Sequence, residues 1–120
     1  METRPFFLQL ARKHRRLLVG AAWAEWDVPE GWLALVEHLV GLIDAAILFN
    51  ADAECFKFDE MAECSGHLVV IATYPRHLDP VIDDLLVAAW DASEGVCMCC
   101  GAYAITTKPL CSAHILGRGM

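Results

Sequence analysis

The apolar residues of this chain recur with different periods in different stretches, and each period predicts an element. From 5 to 24, Phe6, Leu10, Leu17, Leu18 and Ala21 fall at helical spacing with Arg12, Arg15 and Arg16 interleaved, so a helix is expected there. Asp27-Val28-Pro29-Glu30 reads as the start of a second helix. Asp27 is placed to cap it, Glu30 stands three residues on as in a capping box, and Pro29 falls in the first turn, where its missing N–H is not needed. The helix so opened, about 29–48, is apolar around most of its circumference. Only Glu37, His38, Gly41 and Asp44 interrupt Trp32, Leu33, Leu35, Val36, Leu39, Val40, Leu42, Ile43 and Ile47. Such a helix is expected to be buried on several sides and to form the central element.

After Asn50-Ala51-Asp52 the period changes. Residues 54–63, ECFKFDEMAE, partly alternate, Ser65-Gly66 is a turn signal, and 67–74, HLVVIATY, is rich in β-branched residues. This pattern predicts a β-hairpin that Pro75 ends. Asp79-Pro80 then opens a further helix, with Asp79 as cap, Pro80 at the first position and Asp83 and Asp84 in the early turns, where the helix dipole favours acids. Its apolar positions are Val81, Ile82, Leu85, Ala89 and Trp90, and Gly95 ends it. The order predicts an α+β fold: N-terminal helices, a β-hairpin, a further helix and a C-terminal zinc-knuckle-like element. No repeat or long linker divides it, so 1–120 is read as a single domain with an α+β body at 1–96 and a metal element at 97–114.

Composition adds two things. At 120 residues and 57% apolar the chain can bury a core and still leave apolar surface, so a partner face or a homodimer is expected. The charge is also uneven. Residues 1–16 carry five basic residues and one acid, net +4, and the remainder carries four basic residues and fifteen acids, net −11. An acidic body does not attract nucleic acid, whose binding rests on Lys and Arg neutralising phosphates; it suits a basic protein surface. The run RKHRR followed by LLVGAAWA has the outline of an export signal. Phe6, Phe7 and Leu8 ahead of the basic cluster, and an apolar run of only eight residues, argue instead for a cationic helix face. No uncharged apolar stretch reaches the roughly 18 residues of a membrane span. A cytoplasmic protein with reduced thiols is therefore expected.

The candidate chemistry lies at the C-terminal end. Cys97 and Cys100 form a C-x-x-C pair followed by Gly101, and after ten intervening residues come Cys111 and His114 as C-x-x-H. Two closely spaced pairs of soft ligands suit tetrahedral Zn2+, each supplying two corners from one turn. A glycine after such a pair allows the positive φ that lets backbone N–H groups wrap the thiolates. Cys97, Cys100, Cys111 and His114 are thus the expected ligands of a structural zinc, with Cys99 left over. A redox pair and a bundle of inert core thiols are the alternatives, although a thioredoxin-like pair belongs at a strand-to-helix junction. Cys55 and Cys64 are expected to pack as small apolar residues. His67 and His77 with Cys64 make a weaker second ligand set.

The run AAWDASEGVCMCCGAY with PLCSAH after it resembles the C-terminal half of a family of small phage and prophage proteins. In that family a helix ending in serine leads into C-x-x-C-G and a C-x-x-H closes the chain. Ser93, Cys97, Cys100, Gly101, Cys111 and His114 occupy the matching positions. Gly31-Trp32 resembles the family's glycine-tryptophan segment, and Gly66-His67-Leu68 its glycine-x-leucine strand start. The resemblance covers about 30–114, and departs from the family at Ala62-Glu63-Cys64-Ser65, where the family is rich in lysine and phenylalanine. It implies a phage or prophage origin and a metal site, and no reaction.

No nucleophile with a base, no cleft-forming carboxylate pair and no phosphate-binding glycine loop is visible, so a non-enzymatic protein is expected. A zinc with four protein ligands has no open position for substrate. The leading expectation is an acidic, zinc-stabilised accessory protein that binds and inhibits a host macromolecule, as an anti-defence protein of the anti-CRISPR kind would. An immunity protein neutralising a cognate toxin shares that profile. A nucleic-acid-binding zinc-knuckle regulator, suggested by the basic first helix, is opposed by the acidic body. The acids expected to meet the partner are Asp59, Glu60, Glu63, Asp83 and Asp84.

Overall fold

Residues 57–73 form the expected antiparallel hairpin, and positions 54 and 55 of that expectation lie outside the described residues. Strands β1 (Lys57–Cys64) and β2 (His67–Thr73) pair from Cys64↔His67 to Lys57↔Thr73. Ser65 and Gly66 have φ of 54° and 83°, the positive pair that a two-residue turn matching the strand twist demands. The imperfect alternation of β1 has a local cause: the register slips between Phe58 and Glu60, leaving Asp59 as a bulge. Phe58 and Met61, three apart, both reach the core. The structure, a computed structural model, describes residues 4–18, 23, 26–47, 56–105, 109–111 and 113.

The other elements are helical: α1 (Arg4–Lys13), α2 (Arg15–Leu18), α3 (Leu33–Ile47) and α4 (Asp79–Ser93). The arrangement is α+β in the order expected, helices, hairpin, helix. The N-terminal helix is not continuous through 5–24. It breaks at His14, whose Nδ1 donates to Asp44 Oδ2 at 2.6 Å, and the parts of that expectation at 19–22 and 24 lie outside the described residues.

The capping box at Asp27 does not form. Asp27 N donates to Met61 O and Asp27 O accepts from Glu63 N, at 3.2 and 3.1 Å, so its backbone is held against β1 as a one-residue third strand. A tight turn over Glu30–Trp32 follows with no side-chain cap, and α3 begins at Leu33. Asp79 likewise does not cap α4: a turn at Arg76–Leu78 precedes it, Leu78 takes the cap position, and Asp79 and Pro80 lie in the first helical turn.

Helix α3 buries one face, not several. Val36, Leu39, Val40, Ile43 and Ile47 are buried, the i, i+3, i+4 stripe of an amphipathic helix, while Leu42 at the edge of that stripe is 41% exposed. The stripe shares one core with Phe58, Met61 and Leu68 of the hairpin and with Phe7, Leu10, Trp32 and Ile82. Edge-to-face rings link α1 to the hairpin, with Phe7 and Trp26 centroids 5.5 Å apart and Trp26 and Phe58 6.3 Å apart. Cys64 does not pack inside; it is exposed beside the hairpin turn, because three residues on from buried Met61 it falls on the opposite face of the strand. Cys55 lies outside the described residues.

Candidate metal centre

The chain leaving α4 folds into a tight hairpin. Val96 bridges Tyr103, Cys97 N donates to Ala102 O at 2.7 Å, and Gly101 N donates to Cys97 O at 2.9 Å. Gly101 has φ +83°, as the sequence pattern required. The return segment is tied in by Met98 N to Pro109 O and Ile105 N to Leu110 O, both 2.9 Å. These bonds carry Cys111 back beside the first two cysteines.

The sulfurs of Cys97, Cys100 and Cys111 all lie within 4.8 Å of one another, and Cys100 Sγ is 3.6 Å from Cys111 Sγ. That spacing is far beyond the roughly 2.05 Å of a disulfide. Three corners of a tetrahedron around an ion with metal–sulfur bonds of about 2.3 Å would be about 3.8 Å apart. The three thiols can therefore hold a metal ion. Cys97 and Cys111 are buried and Cys100 is exposed. His114, the expected fourth ligand, lies outside the described residues.

The backbone has prepared the site for charged sulfur. Burial pushes the Cys97 thiol up, yet the backbone N–H groups of Cys111, Cys100 and Cys99, with the Cys111 thiol, outweigh it and lower the pKa from 9.0 to about 6. Cys99 N is one of these donors, 3.4 Å from Cys97 Sγ. Its side chain, half-buried, packs in a small cluster with Cys97, Leu110 and Cys111, which accounts for the leftover cysteine. Cys100 behaves oppositely. The Ala102 N–H favours its thiolate, but desolvation and the adjacent Cys111 and Cys97 raise it overall. Three thiolates at this spacing repel, and a divalent cation among them reverses that penalty. The pair does not open a helix, where a thioredoxin-like cysteine gains its activation.

This loop is anchored to the body by the glycine-tryptophan segment. Gly31 N donates to Met98 O at 2.7 Å, and Trp32 Nε1 donates to Val96 O at 2.9 Å. A Cβ on Gly31 would stand 2.0 Å from Cys97 O, so only glycine permits the approach. Met98 turns into the main core while Cys97 turns to the thiol cluster. At the C-terminal end of α4, from which the loop leaves, Ser93 is fully buried; its Oγ donates to Trp90 O and accepts from Leu68 N, at 2.6 and 2.9 Å. Gly31-Trp32, Leu68 and Ser93 thus converge on the segment that carries the cysteines. Sequence reading could not see these contacts, since they join positions far apart in the chain.

The second ligand set does not assemble. Among the described residues, Cys97, Cys100 and Cys111 are the one group close enough to share an ion. His67 is engaged elsewhere, stacked on Trp90 with centroids 4.2 Å apart and donating from Nε2 to Glu94 Oε1 at 2.6 Å.

The five acids are not equivalent. Asp59, Glu60, Asp83 and Asp84 are exposed, whereas Glu63 is half-buried and accepts from Gly66 N at 2.8 Å: it braces the hairpin turn. Asp59 accepts from Thr73 Oγ1 at 2.6 Å, and Asp83 accepts from the Tyr74 hydroxyl. Sequence reading missed a cleft of about 420 Å3 between β2 and α4, lined by Leu68, Val70, Leu86, Val87, Trp90 and Asp91 among others. Its signal was present in the exposed apolar positions of an acidic helix. No helix among the described residues is long and apolar enough to cross a membrane. Comparison with known protein families, with curated proteins and with solved structures gives no match.

Proposed function

We propose that this chain is a non-enzymatic binding module of the cytoplasm that docks an acidic surface on a basic region of a larger protein and blocks it. Zn2+ on Cys97, Cys100, Cys111 and His114 would act as a structural staple, since four protein ligands leave no site for substrate. The observation that carries the reading is the surface of α4. Residues 79–94 hold Asp79, Asp83, Asp84, Asp91 and Glu94 and no Lys or Arg, and Val81, Val87 and Trp90 are exposed among them. Acids around exposed apolar side chains suit a protein groove that normally holds something negative. A phage or prophage origin, with a host defence complex as the target, follows from the motif resemblance alone. Toxin immunity would use the same surface.

The nucleic-acid reading draws less support. The basic cluster is partly neutralised within the chain, by Lys13 Nζ to Glu37 Oε2 at 3.0 Å, although Arg12 and Arg15 remain exposed. A pull-down from host lysate with and without nuclease tests the proposal. A nuclease-resistant protein partner that elutes with rising salt supports it. Recovery only through nucleic acid, or no protein at all, contradicts it.

A further inference from the structure

Helix α4 is fastened to β2 at both ends and stands away from it in the middle. At one end Ser93 Oγ accepts from Leu68 N, with the His67–Trp90 stack and the His67–Glu94 hydrogen bond beside it. At the other, the Tyr74 hydroxyl donates to Asp83. Between these ties lies the 420 Å3 cleft, within the roughly 300–1,000 Å3 of ordinary ligand clefts. Its outer lip is apolar and open: Val87 is 59% and Trp90 39% exposed.

The strand that forms its floor is an edge. β2 pairs with β1 alone. The Cys64↔His67 pair brackets the two-residue turn, so odd positions of β2 near it bond to β1 and even positions face outward. Leu68 N, taken by Ser93 Oγ, confirms that phase. Val70, two residues on and lining the same cleft, therefore offers its backbone N–H and C=O outward, with no hydrogen-bond partner among the described residues. A free strand edge beside an apolar pocket is the geometry of strand addition. The one charged side chain that lines it is acidic, Asp91, and α4 carries no Lys or Arg.

We infer that the β2–α4 cleft is the binding site for a short extended segment of a partner protein, one large apolar side chain flanked by basic residues. This rests on the binding-module reading above and locates it. The segment's backbone pairs with Val70, its apolar side chain enters between Val70, Leu86 and Val87, and its basic residue meets Asp91. Of the acids picked out from sequence, Asp83 then serves to hold the cleft open at one end.

The test is an amide NMR titration of the full-length protein with acetyl-Arg-Phe-Arg-amide, and in parallel acetyl-Glu-Phe-Glu-amide and acetyl-Arg-Ser-Arg-amide. The first peptide is expected to move the amides of Val69, Val70, Val87 and Asp91 and the indole N–H of Trp90. The other two are expected to leave them in place. Val87→Lys and Asp91→Lys, both at exposed positions, should each weaken the response about tenfold or more with the rest of the spectrum unchanged. No movement at the cleft, equal movement with the acidic peptide, or undiminished binding by both variants overturns the inference. The two proposals fail separately. If the lysate partner is still captured in full by Val87→Lys and Asp91→Lys, the cleft is wrong and the acidic module stands. If wild type captures no protein, the module reading falls while the titration still decides the cleft.

Discussion

Replacing Gly31 with alanine strikes the contact that joins the cysteine loop to the body. The added Cβ would meet Cys97 O at 2.0 Å, Met98 C at 2.6 Å and Met98 O at 2.7 Å, all backbone atoms. No side-chain rotation can relieve this, and the loop must retreat by at least about 1 Å merely to reach the 3.0 Å limit for such contacts. Retreat on that scale stretches Gly31 N to Met98 O (2.7 Å) and Trp32 Nε1 to Val96 O (2.9 Å) past hydrogen-bonding range. Two hydrogen bonds contribute about 1 kcal/mol each, and overpacking adds ~1–3 kcal/mol. A loss of roughly 3–5 kcal/mol is large against a total stability of about 5–15 kcal/mol. For a domain of this size it lowers the melting temperature by roughly 10–20 °C. Gly41→Ala is the control: it lies within α3 and its Cβ would meet nothing within 4 Å. The control should gain about 0.5–1 kcal/mol from helix propensity. Thermal melts followed by circular dichroism read both. Gly31→Ala melting within about 2 °C of wild type, on that same scale, would refute the close approach.

Ser93→Ala leaves Leu68 N–H without its buried acceptor and should cost about 1–3 kcal/mol in urea unfolding; an unchanged midpoint would show that the bond does not hold α4 to β2. Tyr74 is pushed up from 10.0 to about 12, by burial first and then by its hydrogen bond to Asp83. The fold therefore favours the neutral phenol, and its contribution is intact below pH 10 and lost between about 10 and 12. Absorbance titration at the tyrosinate band should show a late phase that Tyr74→Phe removes. Cys100→Ser alters an exposed ligand without disturbing the core, so it should lower zinc affinity at least tenfold in a chelator competition while the circular dichroism of the helices persists.

Elements whose signals are local could be read from the sequence. The Ser65-Gly66 turn and the β-branched β2 carry their cause within a few residues, and the structure places them as expected; the Asp79-Pro80 signal put the start of α4 right to within one residue. What went unread depends on partners distant in the chain. Asp27 has the sequence of a cap, but β1 claims its backbone through Met61 and Glu63. The helical period runs through His14, but α1 breaks there, with Asp44 thirty residues away holding the imidazole. The apolar excess of α3 suggested burial on several sides, whereas Leu42 stays 41% exposed. At the metal centre the spacing announced four ligands; three of them, Cys97, Cys100 and Cys111, come close enough to hold an ion, and His114 lies outside the described residues. The anchoring of that loop by Gly31 and Trp32 was legible only as a motif, its physical meaning hidden until Met98 O and Val96 O were found opposite them.

Zinc K-edge absorption on the purified protein tests the central claim most directly. One zinc per chain, with three sulfur neighbours near 2.3 Å and one nitrogen, is the expected result, reduced to two sulfurs in Cys111→Ser. A protein that takes up no zinc, or a shell of oxygen and nitrogen without sulfur, would contradict it.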